Sequence, residues 1–208
     1  MTRLAFIGGG GFAKEALELA ELAGHEVVGY VGDAQGVLDR PYWGPRETLL
    51  ERRSDFDAVC VAFGGVDRKG MAGRRRVVDW VRGNGFRSEA LVSPHATCAK
   101  GTKVGEGAIV AHGVVISVDA NVGAFVILNT KAIVGHDAEI GDNVTVAPAA
   151  FIGGMAKIGE DSLIGPASTV LQGLSVGREV VVGVGASVLR NVPDGSTVWP
   201  HRSKVLAG

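Results

Sequence analysis

The residues best suited to chemistry are the adjacent pair His136 and Asp137, which follow Asn129 after seven positions. An imidazole titrates near neutrality and can take a proton from an attacking amine or hydroxyl group. A neighbouring carboxylate can fix the tautomer of the imidazole and raise its basicity. The pair therefore predicts a general base with a supporting acid, and Asn129 adds a polar group. An exposed histidine without a catalytic role is the alternative.

A second candidate is the glycine run that begins at Gly8 and fits the pattern G-x-G-x-x-A with Gly10 and Ala13. Such a turn brings backbone amides close to a phosphate group when it stands between a strand and a helix. Asp33 lies about 20 residues after Ala13, where a carboxylate can accept hydrogen bonds from a ribose or a base. Gly64 follows a third strand pattern and should lie at the same edge of the predicted sheet as the glycine run and Asp33. These residues predict a nucleotide site, whereas a tight structural turn with a solvated Asp33 is the alternative.

The elements that position the glycine run precede residue 93. Strand patterns cover 4–7, 26–31 and 57–63, and helix patterns cover 14–23 and 74–82. Strand, glycines, helix and strand form the opening of a Rossmann-type unit. The segment has room for only half of a dinucleotide domain, which favours a mononucleotide over NAD. We therefore predict an α/β Rossmann-like nucleotide-binding domain over residues 1–92.

The elements that position His136 follow a different pattern. From Val104 to Val188 an aliphatic residue recurs every six positions without interruption, often followed by glycine. A period of six fits neither an α-helix nor a free strand. It fits a chain that turns a corner once in each period and completes a coil after three corners, as in a three-sided parallel β-helix. We therefore predict a parallel β-helix domain over residues 93–208.

The coil length also places the other candidate residues. Gly154 follows His136 by three periods of six, so it should lie one coil higher on the same face. His112 precedes His136 by four such periods, one more than a complete coil, so these two histidines should lie on different faces. A metal-dependent hydratase on this architecture would need three converging histidines, and no third histidine is close to His136 in the sequence. We therefore predict no metal site.

Composition narrows the class of protein. The formal net charge is −1, from 21 basic and 22 acidic residues, so no strong field recruits nucleic acid or an anionic membrane. Cys60 and Cys98 cannot form a disulfide framework. The N-terminus lacks the features of a signal peptide, and no stretch is apolar enough to span a membrane. The composition predicts a soluble cytoplasmic protein.

The hexapeptide series, the glycine run and the element Asn-Thr-x-Ala-x-Val-x-His-Asp together resemble the NeuD/PglD-type sugar acetyltransferases. The resemblance covers essentially the whole chain. It implies that residues 1–92 form a nucleotide-sugar-binding domain and that residues 93–208 form the acetyltransferase domain. It implies a homotrimer of left-handed β-helices with active sites between subunits. It implies transfer of an acetyl group from acetyl-CoA to the amino group of a nucleotide-linked 4-amino-4,6-dideoxy sugar, in polysaccharide or glycan biosynthesis. His136 would be the general base in a direct attack on the thioester, supported by Asp137.

The resemblance also implies roles for further residues. The sugar-nucleotide contacts it implies are Gly10, Gly11, Phe12, Gly32, Asp33, Gly64 and Asn129, and the coenzyme contacts are Thr145, Gly154, Pro166 and Val184. The chain departs from the family pattern at Phe12 and Thr145, where the family often has histidine. It also departs at the segment from Trp199 to Lys204.

Two other functions remain open on the sequence. O-acetylation of sialic acid or a related sugar would use the same base on a hydroxyl group. A non-catalytic hexapeptide scaffold that binds a nucleotide or organises partners belongs to a different class. The intact set of Asn129, His136 and Asp137 argues against the scaffold.

Overall fold

The computed structural model describes residues 1–200. A small α/β unit at the N-terminus is followed by a solenoid of two-residue parallel strands. None of the helices within residues 1–200 is long and apolar enough to cross a membrane.

The N-terminal unit contains a three-stranded parallel sheet with the strand order β2-β1-β3. Its elements are β1 Arg3–Ile7, α1 Gly11–Leu22, β2 Glu26–Val31, α2 Thr48–Glu51, β3 Ala58–Val61 and α3 Arg68–Gly83. The sequence predicted all three strands, but both long helices begin earlier than expected. Helix α1 starts at Gly11, the last residue of the glycine run. Helix α3 starts at Arg68 because the Asp67 carboxylate accepts a 2.7 Å hydrogen bond from the amide of Gly70.

The solenoid has three faces, each a parallel sheet. The first face is built from Leu91–Val92, Ile109–Val110, Ile127–Leu128, Thr145–Val146, Leu163–Ile164, Val181–Val182 and Thr197–Val198. The second face is built from Thr97–Cys98, Val115–Ile116, Ile133–Val134, Phe151–Ile152, Thr169–Val170 and Ser187–Val188. The third face is built from Lys103–Val104, Asn121–Val122, Glu139–Ile140, Lys157–Ile158 and Ser175–Val176.

The strand register confirms the predicted coil length. Leu128 pairs with Val146, and Val134 pairs with Ile152, so the partners in each pair are three periods of six apart. These second residues of the strands point inward and are fully buried. Burial of one such aliphatic side chain contributes about 1.5–3 kcal/mol relative to exposure. The stacked aliphatic column therefore holds successive coils together, and the prediction of a parallel β-helix is confirmed.

The outward residues of the three faces differ in chemistry. On the first face Ile127 and Leu163 are buried, and both lie opposite Phe12 and Val66 of the α/β unit. On the second face Val115, Ile133 and Phe151 are 38%, 40% and 39% exposed. The third face presents polar or charged side chains, namely Lys103, Asn121, Glu139, Lys157 and Ser175. The second face thus leaves an apolar stripe, defined by Val115, Ile133 and Phe151, open to solvent in a single chain.

Helix α3 connects the α/β unit to the solenoid through two adjacent arginines. Arg74 is fully buried, and it donates hydrogen bonds to the carbonyl oxygens of Phe63 at 2.8 Å and Phe125 at 2.7 Å and to the side chain of Asn143. Burial lowers the pKa of Arg74 to about 10. Arg75 forms an ion pair with Asp161 at 2.8 Å. The end of β3 is therefore fixed against the solenoid.

Candidate active site

His136 and Asp137 lie at a corner between the second and third faces. The Nδ1 atom of His136 is 2.8 Å from an Oδ atom of Asp137. With the proton on Nδ1, the imidazole donates to the carboxylate and leaves the Nε2 lone pair free to accept a proton. Asp137 adopts a left-handed backbone conformation with φ of 56°, which aspartate tolerates better than most residues. The two side chains are about half exposed, so a ligand can reach the imidazole.

Gly154 lies against the free side of the imidazole, one coil above. A Cβ atom built on Gly154 would be 2.5 Å from Nε2 of His136, so a larger residue would push the ring away. Within residues 1–200 the backbone amide of Gly154 donates to no carbonyl or side chain. A free donor beside a general base can stabilise negative charge on an oxygen atom.

The glycine run borders a cavity of about 440 Å³, which we call the glycine-loop cavity. Its lining includes Gly8, Gly9, Gly10, Gly32, Asp33, Gly36, Arg46, Phe63 and Arg76. Gly9 is required by packing, because a Cβ atom there would be 2.3 Å from the ring of Tyr30. At Gly10 and Gly11 a Cβ atom would meet nothing within 4 Å, so the N-terminus of α1 is open on this side. The cavity thus offers backbone amides and one carboxylate to a ligand.

Sequence reasoning missed the arginines around this cavity. Arg46 and Arg76 line it, and the Arg46 guanidinium also lies 5.3 Å from the centre of the Trp80 ring. The signal was the run Arg74-Arg75-Arg76, because consecutive helical residues point in three directions. Arg74 points into the protein, Arg75 points to the solenoid and Arg76 points to the cavity. Composition alone could not distinguish these three environments.

A second cavity, of about 430 Å³, lies between the α/β unit and the first face, and we call it the junction cavity. It is lined by Phe12, Gly64, Gly65, Val66, Ile127, Asn129, Thr145, Ala147, Pro148, Leu163, Pro166 and Val184. Six of these residues were predicted from the sequence as contacts of the acceptor or the coenzyme: Phe12, Gly64, Asn129, Thr145, Pro166 and Val184. The structure brings all six together in one chain.

The chain is similar to known proteins in both sequence and fold. The profile of the family described as hexapeptide repeat of succinyl-transferase matches residues 155–190. A mutant of perosamine N-acetyltransferase from Caulobacter crescentus, solved in complex with CoA and GDP-perosamine, matches with a TM-score of 0.87 and 29% identity over 95% of this chain and 93% of that chain. WeeI from Acinetobacter baumannii AYE has the same fold, with a TM-score of 0.84 and 24% identity over 99% of this chain and 100% of that chain. Curated protein sequences gave no match.

The acetyltransferase domain of PglB from Neisseria gonorrhoeae FA1090, solved in complex with acetyl coenzyme A, decides the family. It is 30% identical, with a TM-score of 0.86, over 96% of this chain and 98% of that chain. The chain belongs to the sugar acetyltransferases of the left-handed β-helix family. It is therefore an acyltransferase, as the resemblance of its motifs implied.

A single chain of this acetyltransferase does not assemble all of the predicted site residues. His136, Asp137 and Gly154 lie at a corner between the second and third faces, and neither cavity includes them. Asn129 lies at a corner between the first and second faces, with the Ile133–Val134 strand between it and His136. Because the chain crosses a whole face between these two corners, closeness in sequence does not become closeness in space. The predicted coenzyme contacts are likewise divided, with Gly154 apart from Thr145, Pro166 and Val184.

The remaining histidines of the acetyltransferase have other surroundings. Nδ1 of His112 is 2.7 Å from Oγ of Ser93, and the two faces that flank His112 are the first and second. His112 and His136 therefore occupy different corners, as the spacing predicted. Within residues 1–200, no three His, Cys, Asp or Glu side chains are grouped so that they could hold a metal ion.

Proposed function

We propose that this acetyltransferase transfers an acetyl group from acetyl-CoA to the amino group of a nucleotide-linked 4-amino-4,6-dideoxy sugar. The observation that carries the proposal is the His136–Asp137 pair, with Nδ1 held by the carboxylate and Nε2 facing a residue that has no side chain. A base that accepts a proton beside an open space suits an attack by a neutral amine on a thioester. The perosamine N-acetyltransferase, crystallised with CoA and GDP-perosamine, supports the same class of acceptor.

The mechanism needs a base and a group that stabilises negative charge. His136 accepts a proton through Nε2 as the amine nitrogen bonds to the carbonyl carbon of the thioester. Asp137 holds the Nδ1 proton and balances the positive charge that forms on the ring. The amide of Gly154 is a candidate donor to the carbonyl oxygen while that oxygen carries negative charge. The carbon–sulfur bond then breaks, and the thiolate of CoA leaves and takes up a proton.

The nucleotide is assigned to the glycine-loop cavity. Residues 1–92 would form a Rossmann-like half-domain whose strand ends meet the ligand, and residues 93–208 would form the acetyltransferase domain. The open amides at the start of α1 would face the phosphates, with Gly10, Gly11 and Gly32 close to the nucleotide. Asp33 would accept hydrogen bonds from the ribose or the base, and Arg46 and Arg76 would add positive charge.

The assembly we propose is a homotrimer. The second face exposes the stripe of Val115, Ile133 and Phe151, which a monomer would leave in water. The corner of His136 flanks this face on one side, and the corner of Asn129 flanks it on the other. A second copy packed on this face would place the base of one subunit opposite the junction cavity of its neighbour. The active sites would then lie between subunits, with the coenzyme along the groove between two neighbouring β-helices.

The first experiment measures acetyl transfer from acetyl-CoA to a panel of UDP-, GDP- and dTDP-linked 4-amino sugars. The reaction is monitored through the release of free thiol. Free sialic acid is included as a hydroxyl acceptor. Turnover on an amino-sugar nucleotide with an alkali-stable product supports the proposal. A product that mild alkali cleaves would instead indicate an ester and O-acetylation. A protein that binds no acetyl-CoA would be a scaffold.

Replacement of the base is the test of mechanism. His136→Ala should lower kcat by roughly 10²–10⁴-fold, because the attacking amine loses its proton acceptor. Calorimetric titration with CoA should give an unchanged affinity, so that lost chemistry is separated from lost binding. Unchanged turnover in this variant would exclude His136 as the general base.

A further inference from the structure

Thr145 carries a buried hydroxyl group whose missing hydrogen bond the fold alone does not explain. It lies on the first face, is 4% exposed, and its Oγ1 atom has no hydrogen-bond partner within residues 1–200. Other buried hydroxyl groups of the solenoid are satisfied internally. Ser162 donates to the carbonyl oxygen of Gly177 at 2.9 Å, and Ser168 donates to that of Gly165 at 2.7 Å. A buried hydroxyl group without a hydrogen-bond partner destabilises the folded protein. The presence of such a group at Thr145 therefore points to a ligand as its partner.

The surroundings of Thr145 show where such a ligand would lie. Ile127 and Leu163 pair with Thr145 in the adjacent coils, and Phe12 and Val66 face it from the α/β unit across the junction cavity. Asn129 is the other polar side chain in the lining of this cavity. The cavity therefore has apolar walls and two side chains that can bind a hydroxyl or an amine.

The two cavities adjoin just after β3. After β3, Phe63 lines the glycine-loop cavity and the next residue, Gly64, lines the junction cavity. At the start of α1, Gly10 lines the glycine-loop cavity and Phe12 lines the junction cavity. A sugar joined through phosphates to a nucleotide in the first cavity would extend into the second. The sugar and the nucleotide would then be held by the same chain.

We infer that Thr145 is a specificity-determining contact of the acceptor sugar, and that its hydroxyl group hydrogen-bonds a ring hydroxyl of that sugar in the junction cavity. This assignment rests on the proposed function and differs from the coenzyme contact that the family resemblance implied for Thr145. An acceptor with two deoxygenated positions matches these walls, because apolar surface meets its reduced carbons and few hydroxyl groups need partners. A site that binds a hydroxyl in this way discriminates against an analogue that lacks it.

The test is the nearly isosteric substitution Thr145→Val. The KM for the amino-sugar nucleotide should rise about tenfold, and the KM for acetyl-CoA should not change. The thermal midpoint should equal or exceed that of the wild type, because the variant loses an unpaired buried hydroxyl. Thr145→Ser should restore the KM, since it keeps the hydroxyl. Ser175→Ala, which removes an exposed hydroxyl group from the third face, is the control and should change neither KM.

Two kinetic outcomes would overturn the inference. A rise in the KM for acetyl-CoA alone would make Thr145 a coenzyme contact, and no change in either KM would mean that its hydroxyl meets no substrate. Acceptors that each lack one ring hydroxyl supply a second measurement. The acceptor that lacks the hydroxyl group bound by Thr145 should bind the wild type and Thr145→Val with equal affinity, because neither protein can then form the hydrogen bond.

The same design separates this inference from the proposed function. Turnover of the wild type on the acceptor panel reports only on the proposed function. If turnover is absent, calorimetric affinities of the amino-sugar nucleotides and of CoA for the wild type and Thr145→Val still decide the role of Thr145. Equal affinities of the two proteins for every ligand would overturn it.

Discussion

His136 depends on two neighbours that act in different ways. Asp137 holds one nitrogen of its ring by a hydrogen bond, and Gly154 keeps the space beside the other nitrogen free. The hydrogen bond sets the tautomer, whereas the missing side chain sets access. Each neighbour can be changed without removal of the imidazole, so the two effects can be measured separately.

The carboxylate is tested by Asp137→Asn. We expect kcat to fall by about tenfold or more, because an amide cannot balance the positive charge on the ring. Asp119→Asn is the matched control, since Asp119 occupies the equivalent corner one coil below and has a φ of 57°. Steady-state kinetics of the two variants would be compared. Equal losses in both would indicate a general electrostatic effect of the corner rather than support of His136.

The open space is tested by Gly154→Ala. The added methyl group would lie 2.5 Å from Nε2, so we expect the imidazole to rotate away and kcat to fall at least tenfold. Gly83→Ala, at the end of α3, adds a methyl group that meets nothing within 4 Å and should leave kcat unchanged. Full activity of Gly154→Ala would show that the ring can work from another position.

At the scale of elements, α3 connects the α/β unit to the solenoid. Its buried Arg74 binds carbonyl oxygens of Phe63 and Phe125, one from each part of the chain. Because Phe63 follows β3 at the point where the two cavities adjoin, Arg74 positions both of them. The contribution is structural, since Arg74 lines neither cavity.

Removal of the Arg74 side chain should lower the free energy of unfolding. Arg74→Met would leave two carbonyl oxygens and the Asn143 amide oxygen without a donor, so we expect the free energy of unfolding to fall by about 2–4 kcal/mol. Arg76→Met, two residues further along the helix and exposed, should change it by less than about 0.5 kcal/mol. Urea unfolding of both variants at one protein concentration would measure this. Similar midpoints would mean that water replaces the lost donor.

The elements also show what sequence could predict. The six-residue period predicted the solenoid because each aliphatic residue must repeat at one place in a stacked coil, and Leu128 and Val146 do so. The start of α3 was missed because its cap, Asp67, precedes arginines and glycines rather than an apolar helical pattern. The separation of Asn129 from His136 was missed because the chain crosses the whole second face between their two corners. Spacing predicts the coil, but only the three faces show which residues meet.

At the scale of the whole molecule, the three faces divide the surface by chemistry. The α/β unit packs against the first face, and the third face presents charged and polar side chains to solvent. The second face leaves Val115, Ile133 and Phe151 exposed. A trimer built on the second face would bury that stripe and complete the active site together. Activity and assembly should then be lost together.

A charge on the second face tests this link. Phe151→Glu should convert the proposed trimer to monomers, because burial of an unpaired carboxylate opposes association. The same variant should lose most acetyl transfer although His136 and Asp137 are unchanged. Ser175→Glu places the same charge on the exposed third face and should alter neither property. Light scattering after size exclusion, with assays on the same fractions, would measure both, and an active monomer would contradict the assembly.

The common register of the coils has a consequence for how such a chain can change in length. Residues one coil apart share a face and differ by one height step, as Ile133 and Phe151 do. Loss or gain of one complete coil would leave every later residue on its own face and alter only the height of the prism. Loss of a single six-residue period would instead rotate everything above it by a third of a turn and carry Gly154 away from His136. Viable length variants of this solenoid should therefore differ by whole coils. The distance along the prism that is available to a long, thin ligand can then grow or shrink, while the angular position of the His136 corner stays fixed.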